Sequence, residues 1–285
     1  MSLPRASKSS GQRHPTATEE SQEKEIQDRT APPGEIVYGA VYREGEHELE
    51  RSNRALAWSG LAAGLSMGFS FVAEALLRSR LPDARWVPIV SKLGYTIGFI
   101  IVILGRQQLF TKNTLTVILP LLNVKAKTSY FDVGRLWVLV FFSNILGAFL
   151  FALLISQTSI FDSDMRSSLS TIAAQELGHP FWIMFLKATL AGWLIALMIW
   201  LLPFAETARV GVIALLAYMV GLGGFPHVVA GGVVTFYAVL TGGVSFGGGL
   251  TQFFAPVLLG NVVGGVALVA AGAHAEFHAE HRIKH

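Results

Sequence analysis

The chain lacks cysteine and has few charged residues. Without cysteine it holds no disulfide, no thiolate nucleophile and no cysteine-ligated metal. Charged residues make up 14% of its 285 residues, whereas soluble domains carry about 25%. The net charge of +3 is small and no basic stripe is interleaved with aromatic residues, so the sequence excludes nucleic acid as a partner. The N-terminus also lacks an apolar stretch, so we expect no cleaved signal peptide.

The charges that are present are segregated, and this divides the chain into three parts. Residues 1–34 are rich in Ser, Gln, Glu, Lys, Pro and Thr, which predicts a disordered cytoplasmic tail. Residues 35–272 are predicted to form the membrane channel domain, and residues 273–285 a short polar tail that is also cytoplasmic. From Glu48 to Arg54 we expect the start of a helix on the membrane surface.

Six stretches after Arg54 are apolar enough to cross a lipid bilayer, which needs about 20 mainly apolar residues. They comprise residues 55–77, 88–104, 136–155, 181–202, 210–240 and 254–271. A polar loop, 156–179, and a glycine-rich loop, 242–249, are expected between them. The sequence therefore predicts an all-α integral membrane protein with six transmembrane helices.

Polar residues interrupt the second and fifth spans, which occupy the same place in two halves of three spans. The interruptions are residues 106–113, followed by a short apolar piece, 114–122, and residues 223–227. Asn144 and Asn261 lie 117 residues apart, and Phe110 and Phe225 lie 115 apart. Two landmarks at nearly the same offset indicate duplication. Because each half has three spans, the second half enters the membrane from the opposite face, which predicts inverted repeats with helices two and five broken.

The second interruption carries His227 between glycine pairs and beside Pro226. An ionisable residue at membrane depth is costly and usually functional. Glycine and proline predict a broken helix, and broken membrane helices line cavities or bind substrate. The alternative is a histidine that is simply hydrogen-bonded to a neighbouring helix.

Inverted repeats would bring the two breaks together near the middle of the membrane, where free backbone N–H groups attract anions. Because the charge state of His227 is adjustable, a proton and an anion could meet there and cross as a neutral acid. The polar residues predicted to line this pore are Thr111, Asn113, Arg106 and His227. The apolar residues predicted to form constrictions are Tyr95, Phe99, Leu109, Phe110, Val220 and Phe225, with ordinary helix packing as the alternative.

Asn144, Asn261 and Gly264 are interpreted as structural. Each asparagine amide can satisfy carbonyls that a break frees, and small residues such as Gly264 allow helices to approach closely. Glu74 and Lys92 lie near span ends and are expected to snorkel towards water. The deeper Lys187 has two interpretations, since it could snorkel or add positive potential to a vestibule.

Other chemistry has little support in the sequence. No Walker motif, catalytic triad or nucleotide fingerprint is present, so the chain is predicted not to be an enzyme and to need no cofactor. His274 and His278 have the i, i+4 spacing of metal ligands, but a solvated terminal helix explains them equally well and no metal is predicted.

Lysine and arginine in short loops predict the orientation of the chain. One side holds Lys125, Lys127, Arg135, Arg209, Arg282 and Lys284, and the other holds Arg78, Arg80, Arg85 and Arg166. The first set is larger, which places both termini in the cytoplasm. The cluster of Arg78, Arg80 and Arg85 opposes this orientation.

Three motifs resemble the formate/nitrite transporter family over about residues 35–272. They are residues 109–116 in the first break, Phe225-x-His227-x-x-Ala230 in the second, and Gly260-Asn261-x-x-Gly264-Gly265 in the last span. The resemblance implies an aquaporin-like fold, a homopentamer in the inner membrane with one pore per protomer, and passage of formate, nitrite or hydrosulfide, often with protons. By position, it makes Thr111 and His227 the polar pair of the pore.

The sequence departs from that family at several positions. Pro226 stands where formate channels usually have an acidic residue. His179 and Pro180 are nearest to the place of a vestibule lysine, and Ala196 replaces an asparagine in span four. Arg106 and Lys112 in the first break are also unexpected. Such changes resemble a divergent branch of the family and affect the substrate more than the fold.

Two other functions remain open from the sequence. An aquaporin-like pore for small neutral solutes would use the same fold, although both Asn-Pro-Ala boxes are absent. A sensor or assembly protein would use the long N-terminal tail to bind a partner. The leading interpretation is a channel or transporter for small monovalent anions.

Overall fold

The computed structural model describes residues 34–123 and 128–266, together with Gly272 and Ala275. Several features predicted above lie outside the described residues. They are the disordered tail, Lys125, Lys127, and the C-terminal segment with His274, His278, Arg282 and Lys284.

The first half of the described chain contains seven helices. They are α1 (Gly34–Glu50), α2 (Asn53–Arg80), α3 (Val87–Leu104), α4 (Phe110–Thr116), α5 (Ile118–Leu122), α6 (Tyr130–Gln157) and α7 (Ser163–Glu176). Side chains set several of these boundaries. Ser52 accepts a hydrogen bond from the Ala55 amide at the start of α2, and Ser129 and Asp132 form a capping box that starts α6.

The second half holds α8 (Phe181–Leu201), α9 (Arg209–Leu222), α10 (Ala230–Leu240), α11 (Phe246–Gly248) and α12 (Ala255–Val263). Two 3₁₀ turns, Leu202–Phe204 and Glu206–Ala208, join α8 to α9. A π-helical turn, Gly249–Phe254, joins α11 to α12, so the last helix is continuous but widened.

Within the described residues, five helical stretches are long and apolar enough to cross a bilayer. They are Asn53–Arg80, Val87–Leu104, Tyr130–Gln157, Phe181–Phe204 and Phe246–Val266. Two shorter apolar stretches, Phe110–Leu122 and Ala230–Leu240, follow the two breaks. The membrane face on which α1 lies is called here the α1 face, and the other, on which α7 lies, the α7 face.

Three sequence-based boundaries were wrong. The predicted polar loop 156–179 contains the 14-residue helix α7, which Asp162 caps through the Met165 amide. The predicted glycine-rich loop is helical from Phe246, because Ser245 caps that turn. The helix expected to begin between Glu48 and Arg54 instead ends at Glu50, and the next one begins at Asn53.

Close helix pairs in the two halves use equivalent small residues. A methyl group at Gly64 of α2 would overlap the Asn144 carbonyl oxygen of α6, and one at Gly192 of α8 would overlap the Asn261 carbonyl oxygen of α12. Gly264 likewise leaves no room beside the Thr189 carbonyl oxygen. In each half, the backbones therefore approach more closely than any larger residue would allow, as in small-residue membrane interfaces.

Candidate functional site

The two breaks meet at Thr111 and His227. The Thr111 Oγ1 atom lies 2.6 Å from the His227 Nε2 atom, and both side chains are fully buried. The backbone amide of Ala230 donates to His227 Nδ1 at 3.2 Å, so Nδ1 carries a lone pair. The neutral ring therefore holds its proton on Nε2 and donates it to Thr111. This leaves the Thr111 hydroxyl proton to donate to another group.

Asn144 holds the first break in place. Its Oδ1 atom accepts from the Phe110 amide at 2.9 Å, and its Nδ2 atom donates to the carbonyls of Gly60 at 2.7 Å and Gln108 at 2.8 Å. All three partners are backbone groups, two of them at the break itself. This is the arrangement that the structural interpretation of Asn144 requires.

Asn261 makes the same three hydrogen bonds in the second break. Its Oδ1 atom accepts from the Val228 amide at 2.9 Å, and its Nδ2 atom donates to the carbonyls of Ala188 at 2.8 Å and Pro226 at 3.1 Å. The break amides are therefore engaged by side chains at Phe110, Val228 and Ala230. Fewer amides are free for an anion than the sequence suggested, and the side chains of Thr111 and His227 carry more of the chemistry.

The matching hydrogen bonds correct the register between the two breaks. Gln108 corresponds to Pro226, and Phe110 corresponds to Val228 rather than to Phe225. The residues of each of these pairs lie 118 residues apart. Arg106 and Gly224 are separated by the same number, and their φ angles are 50° and 56°. The similarity of Phe110 and Phe225 in the sequence was therefore a coincidence of residue type.

Aromatic rings form a wall on one side of His227. The Phe99 ring lies 5.0 Å from the His227 ring, and Tyr95 lies 5.5 Å from Phe99. A Cβ at Gly221 would lie 3.0 Å from the Tyr95 ring, so α9 packs closely on this wall beside the buried Val220. Ser70 fixes the backbone behind it by donating to the Tyr95 carbonyl at 2.6 Å. The sequence analysis did not identify Ser70, since a lone serine in an apolar span carries no distinctive signal.

The remaining predicted constriction residues have other neighbours. Phe110 packs edge-on against Trp137 and Phe141 of α6, with ring centroids 5.8 and 5.2 Å away. Leu109 is fully buried and directly precedes α4. Phe225 is half-buried and folds back over Gly223. The rings of Phe110 and Phe225 therefore pack against α6 and Gly223, and neither has the His227 contact that Phe99 makes.

The structure does not bring Arg106 and Asn113 to the Thr111–His227 pair. Arg106 is exposed on the surface of the protomer. Its backbone amide donates to the Ile103 carbonyl at 3.2 Å, and its side chain forms no hydrogen bond or ion pair with any other described residue. Asn113 is buried, but its Nδ2 atom donates to Gln108 Oε1 at 3.0 Å. Neither side chain hydrogen-bonds to Thr111 or His227 among the described residues, and the place of both residues in the pore stays a prediction.

A charge cluster around the buried Lys112 and Glu48 lies beside the first break on the α1 face. Lys112 Nζ is 2.7 Å from Glu44 and 3.2 Å from Glu48 of α1. Glu48 also accepts a very short hydrogen bond from Gln108 and pairs with Arg51 at 3.1 Å. The sequence analysis missed this cluster. The i, i+4 spacing of Glu44 and Glu48 places both on one face of a helix, but nothing in the sequence indicates Lys112 as their partner.

A second group of charges lies on the α7 face. Glu74 and Lys92 form an ion pair at 2.6 Å and Glu74 is buried, so the prediction that both snorkel was wrong. Lys187 Nζ lies 3.2 Å from His179 Nε2. Burial raises the pKa of the Glu176 carboxyl, while the positive charges of Lys92 and Lys187 act against that shift. The sequence analysis missed Glu176 because it placed this residue in a loop.

The sequence of the chain is similar to those of known membrane proteins. The sequence profile of the formate/nitrite transporter family matches residues 35–275. The chain belongs to the formate/nitrite transporter family. It is 36% identical over 264 residues to "Inner membrane protein YfdC" of Escherichia coli (strain K12), which covers 90% of this chain and 85% of that protein. It is 26% identical over 256 residues to "Formate channel BtFdhC" of Bacillus thuringiensis, with 87% and 96% of the two chains covered.

Solved structures of this transporter family share the fold. A pentameric formate channel with formate bound superposes with a TM-score of 0.68 at 22% identity, over 80% of this chain and 99% of that chain. An FNT family ion channel superposes with a TM-score of 0.73 at 20% identity, over 83% and 97%. This member of the formate/nitrite transporter family is therefore an all-helical, multi-pass membrane protein of a family of channels and transporters.

Proposed function

We propose that this chain is a channel for small monovalent anions such as formate or nitrite, with a proton accompanying the anion. The observation that carries the proposal is the buried Thr111–His227 pair at the meeting of two broken helices. We further infer that six membrane-spanning helices form two inverted repeats around this pair. The matching hydrogen bonds of Asn144 and Asn261 support that arrangement.

The pair offers donors of the kind that a small anion needs. The Thr111 hydroxyl accepts from His227 Nε2–H and can donate its own proton to a carboxylate or nitrite oxygen, while Phe99 keeps one side of the site apolar. Bare charge is costly in such surroundings, so passage is easiest for an anion that carries a proton with it. Protonating His227 itself would displace the Ala230 amide from Nδ1. The histidine therefore stays neutral and orients the Thr111 hydroxyl, which donates to the passing acid.

Uptake into proteoliposomes tests the proposal. Formate and nitrite uptake should rise when an inward proton gradient is applied to the native protein. In His227→Asn, uptake of both should fall by roughly 10-fold to 100-fold, since a hydrogen bond to a charged group contributes about 1.5–3 kcal/mol. Gln157→Ala, an exposed change at the end of α6, is the control and should leave uptake unchanged. Absence of both uptakes in the native protein would refute the proposal.

The assembly and location of the chain are also part of the proposal. We infer a homopentamer with one pore per protomer, because a solved channel of this fold is pentameric. We place it in the inner membrane, as the name of the Escherichia coli relative states for that protein, with both termini in the cytoplasm. Residues 35–272 then form the channel domain, with residues 1–34 and 273–285 as tails.

An aquaporin-like pore for neutral solutes is a second candidate. Thr111 and the neutral His227 would also suit a small hydrogen-bonding solute, and no charged side chain hydrogen-bonds to either of them among the described residues. Swelling of proteoliposomes in glycerol, compared with formate, separates the two functions. Swelling in glycerol alone would favour the neutral pore.

A further inference from the structure

Four charged residues surround the mouth of the second break on the α7 face. Lys187 Nζ lies 3.8 Å from the position of a Cβ at Gly224, at the outer end of the break. A Glu176 carboxylate oxygen lies 3.0 Å from the corresponding position at Gly231, in the first turn of α10. Glu74 and Lys92 complete the group, which we name the antechamber.

The antechamber is connected to the Thr111–His227 pair by aromatic rings. Lys92 Nζ lies 5.8 Å above the Tyr95 ring, the Tyr95 ring lies 5.5 Å from Phe99, and Phe99 lies 5.0 Å from His227. Glu176 and Lys187 reach the same break from α7 and α8. The four charges therefore lie beside the break that carries His227, at its end on the α7 face.

The charges are unevenly paired. Lys92 has a carboxylate partner, Glu74, at 2.6 Å. Lys187 has no carboxylate at ion-pair distance within the described part of the chain, and its nearest polar contact is His179. Glu176 likewise forms no ion pair with the described residues, although the charges of Lys92 and Lys187 act on it. Lys187 and Glu176 are thus the two charged residues of the antechamber that form no ion pair with the described residues.

We propose that the antechamber binds one small monovalent anion at Lys187, and that Glu176 competes with this anion until Glu176 takes up a proton. The proposal rests on the proposed anion channel and adds a loading step at its mouth. The anion and the proton then enter together, which makes Glu176 a titratable group of the pathway separate from His227.

The sign of the pH dependence follows from the charges. With Glu176 ionised, the two carboxylates and two ammonium groups cancel, and an arriving anion meets Glu176 as a like charge. With Glu176 protonated, the antechamber has one excess positive charge. Burial already favours the protonated carboxyl, and a bound anion favours it further. By linkage, a proton raises anion affinity as much as the anion raises proton affinity, so binding strengthens as pH falls.

Other groups also face Glu176 and enter the design of the test. Glu74 and Tyr95 lie close enough to sense its charge, and His179 contacts Lys187. A pH effect that came from His179 would persist when Glu176 is replaced. The variant Glu176→Gln keeps the size of the side chain and removes only its ionisation, so it isolates the carboxyl.

The experiment measures the KM for formate and nitrite from the α7 face as external pH is lowered from about 8 to 5, a range above the ordinary glutamate pKa of about 4.3. Because the chain has no cysteine, a single Ser170→Cys change on α7 allows an impermeant thiol reagent to report orientation. In the native protein, KM should fall about tenfold on acidification. In Glu176→Gln, it should be low at every pH. Lys187→Met should raise KM at least tenfold at acidic pH.

Glu206→Gln, an exposed change between the two halves of the α8–α9 connection, is the matched control and should keep the native profile. Glu176→Asp keeps an ionisable carboxyl at this position and should retain the pH dependence of KM. That result would exclude misfolding as the cause of a flat profile in Glu176→Gln. Retention of the native KM profile in Glu176→Gln would overturn the proposal, as would an unchanged KM in Lys187→Met.

An infrared difference measurement separates this proposal from the proposed function. Adding formate or nitrite near neutral pH should convert the Glu176 carboxylate to the protonated acid, and Glu176→Gln should lose that signal. The signal should survive in His227→Asn, whose flux is blocked deeper in the pathway. Its absence from native protein that still transports would refute the antechamber alone, whereas loss of native flux with the signal intact would refute only the channel.

Discussion

Two equivalent residues in the breaks adopt the same left-handed conformation with different side chains. Gly224 has a φ of 56° and Arg106 a φ of 50°. Glycine adopts this conformation without a steric penalty, whereas an L-residue with a side chain incurs about 1–2 kcal/mol. Next to Arg106, the buried Gln107 Oε1 atom has no hydrogen-bond partner among the described residues. Strain and an unsatisfied acceptor therefore coincide in the first break.

Replacing Arg106 should reveal this strain. We expect Arg106→Gly to raise the free energy of unfolding by about 1 kcal/mol, because the backbone strain is relieved. Gly224→Ala should lower it by a similar amount. Thermal unfolding of the detergent-solubilised protein measures both. A loss of stability in Arg106→Gly would instead show that Arg106 has a partner beyond its own protomer.

The asparagines of the breaks should be among the most sensitive buried residues. Asn144→Ala leaves the Phe110 amide and the carbonyls of Gly60 and Gln108 without their partner. Each buried group left unsatisfied costs about 1–3 kcal/mol, so we expect a loss of roughly 3 kcal/mol or more. Asn261→Ala should cost a comparable amount. Chemical unfolding compares them with Gln157→Ala, and a loss below about 1 kcal/mol would contradict the structural role.

At the scale of elements, α1 is held against the first break by charge. Glu44 and Glu48 lie one turn apart on α1 and both contact Lys112, which directly follows Thr111 in α4. α1 also fits closely because Gly45 lies against the Thr116 carbonyl group. The helix α1 is thus linked by ion pairs to the residue next to Thr111.

A double-mutant cycle measures this connection. Lys112→Met leaves Glu48 buried without its lysine partner, and breaking a buried pair typically costs about 3–5 kcal/mol. Adding Glu48→Gln removes the carboxylate that has lost Lys112 and keeps only Arg51 as its ionic partner, so the double variant should be more stable than Lys112→Met alone. Thermal unfolding gives the coupling energy, with Glu46→Gln as the control on α1. Additive losses would mean that Lys112 does not depend on Glu48.

The helix α7 shows why a polar segment was misread. Its sequence is polar on average, but Met165, Leu169 and Ile172 recur at helical spacing and are buried. This buried stripe packs against the rest of the protein. With 14 residues and a polar average composition, α7 is too short and too polar to cross the membrane. An interpretation based on hydropathy finds membrane-spanning helices and overlooks helices that lie beside them.

At the scale of the whole molecule, the proposed homopentamer is an assembly of five pores. We expect native mass spectrometry of the detergent-extracted protein to show five copies of the 30.8 kDa chain. Cross-linking in membranes checks that detergent has not changed the number. A dominant monomer or trimer in both measurements would contradict the homopentamer, while leaving the pore within each protomer unaffected.

The sequence by itself determined the membrane class, the positions of the long apolar helices and the two breaks. These follow from local composition, because each apolar span and each glycine or proline interruption is visible within a short window. It also identified Thr111 and His227 as candidates for one site, through the internal repeat and the family resemblance.

Only the tertiary structure decided which polar groups meet. Thr111 and His227 are 116 residues apart, Lys112 and Glu48 are 64 apart, and Lys92 and Glu74 face each other across a turn. Arg106 and Asn113 have the chemistry of pore-lining groups, yet neither hydrogen-bonds to His227, and Asn113 donates to Gln108 instead. Side-chain direction at a break depends on backbone angles and on the helices packed around it, and composition does not record either.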